Sequence, residues 1–374
     1  MRSSPRAGLV VVASSLLLLA ACDGEPDVAV TLPDTTPSEI TVPDTTASAV
    51  TVPDTTVPDT TVPAPTEPLA TTEPPATTEP PATTMPSVIR PTIDELIASG
   101  EVLNIAHAGG DQAWPHSTFY AFDRAVEAGA DVLEMDVQLT ADGVLIVQHD
   151  DTVDGTTDGT GRVDSFTFDE ITQLDAAYWY SPGCWPCREQ ADEAYVLRGV
   201  RTGAVPPPDG VDPDTLRIVS FAELVERYPD MPLDVEIKGT EASAAATADA
   251  LAAAIVEYDL ADNVVVVSFD DPTVEYFRSI APDVDVSPGV GEMSAWLLQG
   301  ADLSPGTRIV QVPPMFGDVP VISPEFWTAV DAAGVEVWVW PNDWRTQENA
   351  EFYAELMADG ADGIIVGRPD LFPN

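Results

Sequence analysis

From residue 95 onward, short β-branched runs alternate with amphipathic helical stretches. Strand candidates fall at 102–107, 132–138, 233–237, 264–268, 285–289, 308–312, 336–340 and 363–366. Segments such as STFYAFDRAVEAG, SFAELVERYP, ASAAATADALAAAIVEY and ENAEFYAELMADG fill most of the intervals and read as helices. Such alternation implies a parallel sheet with covering helices. Eight units in about 270 residues predict an α/β fold of the TIM (β/α)8 barrel type. One further run, VLIVQH at 144–149, follows VLEMDVQL after the turn TADG. That connection is too short for a parallel crossover, so the two strands form an antiparallel hairpin. With TADG as the turn, Leu139 faces Val144 and Glu134 faces His149. Residues from about 176 to 217, with GCWPC and PPPDG, read as an irregular insertion in a domain spanning 91–374.

The chain before this domain is of a different kind. Arg2 and Arg6 precede the apolar run LVVVASSLLLLAA, which has signal-peptide length and ends in Leu19-Ala20-Ala21-Cys22. Small residues before a cysteine resemble a bacterial lipobox. That predicts removal of residues 1–21 and a lipid on Cys22, holding the protein on the outer face of the bacterial cell membrane. An ordinary cleaved signal with an incidental cysteine is the alternative. Residues 22–90 repeat VPDTT and TTEPPA, a Pro/Thr-rich composition with almost nothing to bury. They predict a disordered stalk that, at about 3 Å per residue, reaches on the order of 200 Å.

Fifteen basic against 63 acidic residues give a net charge of −48. Nucleic acid is thereby excluded as a partner, since no basic stripe exists to neutralise phosphates. Phosphate chemistry in such a chain needs a local cation to reverse the field. No protein partner is evident. Of the three cysteines, Cys184 and Cys187 form a CxxC that fits a redox motif, half a zinc site or a local disulfide. Outside the cytoplasm, with no second CxxC, a structural disulfide is the favoured reading.

Chemistry-bearing residues gather at successive strand ends. His107 ends the first strand, Glu134 and Asp136 the second, His149 closes the hairpin, and Glu236 and Lys238 end the next strand. Three carboxylates converging on one barrel mouth repel one another unless a cation lies among them, and hard oxygen ligands favour Ca²⁺ or Mg²⁺. Two histidines beside such an ion are placed to serve as general base and general acid.

The motifs His107-Ala108-Gly109-Gly110, Pro115-His116-Ser117-Thr118, Glu134-Met135-Asp136, His149-Asp150 and Thr156-Thr157-Asp158-Gly159-Thr160-Gly161 resemble those of the glycerophosphodiester phosphodiesterase family. Glu236-Ile237-Lys238 and the final DGIIVGRPD follow in the family's order. The resemblance covers about 100–372. It implies a TIM barrel that hydrolyses glycerophosphodiesters to glycerol 3-phosphate and an alcohol. Glu134, Asp136 and Glu236 would hold one divalent cation, His107 and His149 would be the acid–base pair, and Lys238 would contact phosphate. Trp340 falls where the family places a pocket aromatic, with a core tryptophan as the alternative.

Three positions depart from the family pattern. Ala108 and Gly155 stand where arginines are expected, and His116 stands where a carboxylate is expected. His116 is read as taking over part of the phosphate contact or orienting His107, or else as a cap on a helix from Ser117. The lost arginine leaves a phospholipase acting on lyso or intact lipids open as a rival. A phosphodiester-binding lipoprotein that has lost catalysis is the rival from outside the enzymes.

Overall fold

The computed structural model describes residues 90–373 apart from 186 and 240. The signal peptide, Cys22 and nearly all of the stalk lie outside the described residues. Among the described residues, eleven strands occur in chain order: β1 Leu103–Ala106, β2 Val132–Leu139, β3 Leu145–Val147, β4 Leu233–Ile237, β5 Val264–Val267, β6 Asp285–Val286, β7 Ile309–Val312, β8 Met315–Phe316, β9 Val319–Pro320, β10 Glu336–Val339 and β11 Gly363–Val366. The helices are α1 Ile93–Ser99, α2 Phe119–Glu127, α3 Phe168–Ile171, α4 Phe221–Arg227, α5 Glu241–Glu257, α6 Asp271–Ile280, α7 Val290–Gln299, α8 Pro324–Ala333 and α9 Ala350–Asp359.

Eight parallel strands run in the order β6-β5-β4-β2-β1-β11-β10-β7. This is a nearly closed TIM barrel, as the strand–helix alternation predicts. Its seam lies between β6 and β7, where the Gln311 N–H donates to Ser287 Oγ (3.2 Å). Side chains alternate across each strand, and the sequence uses this consistently. In β2, Leu133, Met135 and Val137 pack outward into a shell with Ala244, Ala248 and Leu251 of α5. Leu103, Ile105, Val132, Val265, Ile309, Trp338 and Ile365 form an apolar plug capped by Ile93 and Leu96 of α1. Glu134, Asp136, Asp234 and Glu236 share the parity of that plug, so they point inward nearer the carboxyl ends of their strands.

Antiparallel pairing of β2 with β3 agrees with the sequence reading, but its register does not. Leu139 pairs with Leu145 and Val137 with Val147, one residue away from the expected ladder. The cause is the turn. Thr140 rather than Leu139 faces Val144, through Thr140 N–H to the Val144 carbonyl (3.1 Å) and Val144 N–H to Thr140 Oγ1 (3.0 Å). The loop is thus Ala141-Asp142-Gly143, and Gly143 takes the left-handed conformation (φ +80°) that such a loop requires. Strand parity therefore does not place His149 beside Glu134 and Asp136. β3 ends at Val147, and the amide of Gln138 donates to the carbonyls of Gln148, His149 and Asp150 (2.9, 3.0 and 2.7 Å). That clamp turns the chain after the strand.

Among the described residues of 176–217 the helical elements are short 3₁₀ turns, packed on a small core of Ala177, Leu197, Val200 and Leu216. Cys184 and Cys187 are joined by a disulfide. No helix among the described residues is long and apolar enough to cross a membrane.

Candidate active site

β1 delivers His107 into a loop with three successive left-handed residues, Ala108 (φ +46°), Gly109 (+80°) and Gly110 (+96°). Close packing also requires glycine at position 110, where a Cβ would lie 2.8 Å from the Trp114 ring. The coil aims the Ala108 N–H at Glu134 Oε2 (2.7 Å). It also brings Asp111 Oδ1 to 3.3 Å from His107 Nδ1. Burial by itself favours a neutral ring, but Asp111, Glu134 and Asp136 outweigh it and raise the His107 pKa well above its ordinary value. The second histidine is arranged alike, with His149 Nδ1 2.7 Å from Asp150 Oδ1. Gly155 makes room for that carboxylate, since a Cβ there would lie 2.3 Å from Asp150 Oδ2.

Between the histidines lies a concentration of acid. The β2–β4 register sets Asp136 beside Glu236 and Glu134 beside Asp234. Lys238 Nζ bridges Asp136 (3.0 Å) and Glu236 (2.8 Å). Burial, reinforced by Asp136 and Asp234, pushes the Glu134 carboxyl up to about 8. Glu236 is raised chiefly by burial and then by Asp136. Burial opposes ionisation of Asp136 as well, but Lys238, followed by His149, overcomes it and lowers its pKa. Asp234, pushed up to about 7 by burial, is held across the barrel by the Gln311 amide (2.8 and 2.9 Å).

Four inward carboxyls thus face one ammonium, and Asp136 Oδ2 is buried without a hydrogen-bond partner. The donor set and its charge deficit fit a hard divalent cation. Among the described residues, no three His, Cys, Asp or Glu side chains are gathered closely enough to hold an ion as they stand. Lys238 fills the space between two of the donors.

His116 is buried and lies between the two other histidines, with ring centroids 6.5 Å from His107 and 6.0 Å from His149. Neither of its nitrogens has a hydrogen-bond partner, and burial lowers its pKa to about 4. It is therefore neutral, not cationic. It does not cap the helix: α2 begins at Phe119, and Thr118 Oγ1 accepts from the Ala121 N–H (3.2 Å). Over it stacks Trp185 of the disulfide loop, with ring centroids 4.6 Å apart and planes 22° apart. Gln112 latches that loop, its side-chain amide donating to the Trp185 carbonyl (3.0 Å) while its backbone carbonyl accepts from Gly183 N–H (2.9 Å).

His107, Glu134, His149, Glu236, Lys238 and Trp340 line one cavity of about 390 Å³. Asp136 is in contact through Lys238, and Trp338 belongs to the barrel plug. Sequence reasoning missed Asp111, Asp234 and Trp185, and gave Asp150 a place in a motif but no role. Asp111 and Asp150 were findable as carboxylates four residues and one residue after a histidine. Asp234 was findable by strand parity with Glu236. No local signal marks Trp185, which arrives with the insertion.

The sequence profile of the glycerophosphoryl diester phosphodiesterase family matches residues 107–371, from the first histidine of this cavity to the end of the barrel. The chain belongs to this family. A glycerophosphodiester phosphodiesterase of Caldanaerobacter subterraneus subsp. tengcongensis is 29% identical over 278 residues, covering 73% of this chain and 97% of the relative. The crystal structure of glycerophosphodiester phosphodiesterase from Agrobacterium tumefaciens superposes with a TM-score of 0.53 at 25% identity, covering 72% of this chain and 97% of that one. An Oleispira antarctica phosphodiesterase, solved with its product sn-glycerol-3-phosphate, shares the fold at 20% identity, a TM-score of 0.52, and coverage of 72% and 94%. As a glycerophosphodiester phosphodiesterase, the chain is a phosphoric diester hydrolase, and its family is generally dependent on a divalent metal.

Proposed function

We propose that this enzyme hydrolyses glycerophosphodiesters to glycerol 3-phosphate and an alcohol by metal-assisted acid–base catalysis with His107 and His149. One observation carries the reading: the two histidines, each with a carboxylate at Nδ1, line the same cavity as Glu134, Glu236 and Lys238. With Nδ1 so engaged, Nε2 is the nitrogen that exchanges a proton with substrate. One histidine takes the proton of the attacking water, and the other protonates the leaving alkoxide. Glu134, Asp136 and Glu236 would hold the divalent cation, Ca²⁺ or Mg²⁺, which would supply Lewis-acid polarisation of the phosphoryl group and a lowered pKa for the nucleophile. Lys238 supplies a positive charge to the phosphate in a site that would otherwise repel it. Trp340 forms part of the pocket wall, whereas His116, stacked beneath Trp185 and outside the cavity lining, would act by orienting His107. The signal-like segment and Cys22 support a lipid-anchored enzyme acting outside the cell.

The test is the turnover of glycerophosphocholine by His107→Ala and His149→Ala. Each should lower kcat by at least about a hundredfold, the ordinary worth of a general acid or base. Wild-type kcat in either variant would remove that histidine from the chemistry.

A further inference from the structure

Trp185 brings the insertion against the three histidines. Its indole stacks on the His116 ring at 4.6 Å and stands edge-on to His149 at 5.9 Å, with planes 85° apart. His116 in turn is edge-on to both His107 and His149. The His116 ring is therefore a spacer between the two histidines of the acid–base pair. Hydrogen bonds do not fix it, because both of its nitrogens are buried without a partner. Its orientation is left to packing, and one face of that packing is the indole.

Trp185 belongs to no helix or strand, and its indole N–H is buried and unpartnered as well. What fixes the residue is its backbone. The disulfide between Cys184 and Cys187 closes the chain around it, which limits the conformations open to so short a loop. The Gln112 side-chain amide donates to the Trp185 carbonyl (3.0 Å), and the Trp185 N–H donates to Gln112 Oε1 (3.4 Å). The same amide donates to Asp111 Oδ2 (3.3 Å), whose other oxygen faces His107 Nδ1. The loop is thus tied to His107 twice, through the His116 ring and through the carboxylate that orients His107. Neither Trp185 nor His116 lines the cavity, so neither is placed to touch substrate.

We propose that Trp185, clamped by the Cys184–Cys187 disulfide, is a positioning residue that holds His107 and His149 in register through the His116 ring. This rests on the reading of those two histidines as the acid–base pair. Without the indole, the His116 ring turns and the pair loses its alignment. A misplacement on the order of 1 Å costs about a hundredfold in rate. The loss falls on kcat and not on KM, because no wall of the cavity is removed.

The test is glycerophosphocholine turnover by the full chain, with divalent cation present, in Trp185→Ala, in Trp185→Phe and in the paired Cys184→Ser and Cys187→Ser. Trp185→Ala should lower kcat at least about tenfold with KM changed less than about threefold. Trp185→Phe keeps a stacking ring and should stay within about threefold of wild type. The paired serines should lower kcat at least about threefold, and no further where Trp185→Ala is already present. Wild-type kcat in Trp185→Ala, an equal loss in Trp185→Phe, a loss confined to KM, or additive losses each overturn the proposal. Should Trp185→Ala not fold, wild-type kcat in the paired serine variant overturns it. All three histidines of the chain lie in this site, so NMR of labelled histidine rings reads it without background. Trp185→Ala, or the paired serines in its place, should move the His107 signal as well as that of His116. If the wild-type chain leaves glycerophosphocholine intact, the acid–base reading fails and these signals decide the proposal. A His107 signal left in place overturns it.

Discussion

Asp111 Oδ1 lies 3.3 Å from His107 Nδ1, one turn further along the same left-handed loop. The carboxylate sets which ring nitrogen faces substrate and stabilises the imidazolium. In Asp111→Asn the negative charge is gone, so the pKa of His107 falls. Turnover of glycerophosphocholine should drop about ten- to a hundredfold, as for loss of an orienting carboxylate. The pH–rate limb governed by His107 should move to lower pH, read from kcat/KM profiles of the two proteins. A drop in rate with no movement of the limb would make Asp111 merely structural.

Gly155 bears on the other histidine. A Cβ at this position would sit 2.3 Å from Asp150 Oδ2, and the carboxylate is the mobile partner. Gly155→Ala should therefore turn Asp150 away from His149, lowering kcat about tenfold while costing under about 1 kcal/mol of stability. Urea unfolding and steady-state kinetics on the same preparation separate the two effects.

Lys238 neutralises Asp136 and Glu236 where the family's metal would lie. Lys238→Met removes a cation from a site already rich in carboxylates. Divalent-cation affinity, measured by calorimetry, should stay equal or tighten, whereas kcat/KM for glycerophosphocholine should fall at least about a hundredfold. Loss of cation binding in this variant would mean that Lys238 organises the carboxylates instead of serving the phosphate.

Glu348 gives a pH dependence of stability. Burial, with Asp111 nearby, pushes its carboxyl up to about 7, while Tyr353 Oη–H and the Gly367 N–H (2.9 Å) donate to it. A carboxyl whose pKa is raised on folding binds its proton more tightly in the native state. Its contribution is therefore fully present below the unfolded value near 4.5 and is lost as pH rises through about 7. Glu348→Gln should escape that loss. Relative to wild type, its unfolding free energy should improve by up to about 3 kcal/mol between pH 4.5 and pH 8. Denaturant titrations at both pH values check this.

Much of the barrel was legible because its strands obey one alternation. Leu133, Met135 and Val137 face helices while Glu134 and Asp136 face the axis, and this pattern is written in VLEMDVQL itself. His107, Glu134 and Glu236 were legible for the same reason, as polar groups at the ends of apolar runs. The hairpin register was not. Whether Thr140 or Leu139 faces Val144 depends on the left-handed Gly143 and on the Thr140 hydroxyl, which the hydrophobic pattern does not distinguish. His149 reaches the cavity through a clamp made by Gln138, not through strand parity. Trp185 lay beyond sequence reasoning because its partners, Gln112 and His116, are some seventy residues distant and are met only once the insertion folds over the barrel mouth.

Metal-assisted hydrolysis of a glycerophosphodiester is tested most directly by glycerol 3-phosphate release from glycerophosphocholine by the full chain. Release is measured before EDTA, after EDTA, and after Ca²⁺ or Mg²⁺ is returned in excess. With Asp136 Oδ2 unpartnered and four carboxyls against one ammonium, EDTA should abolish release and one of the two ions should restore it. Undiminished release of glycerol 3-phosphate in EDTA would contradict the account.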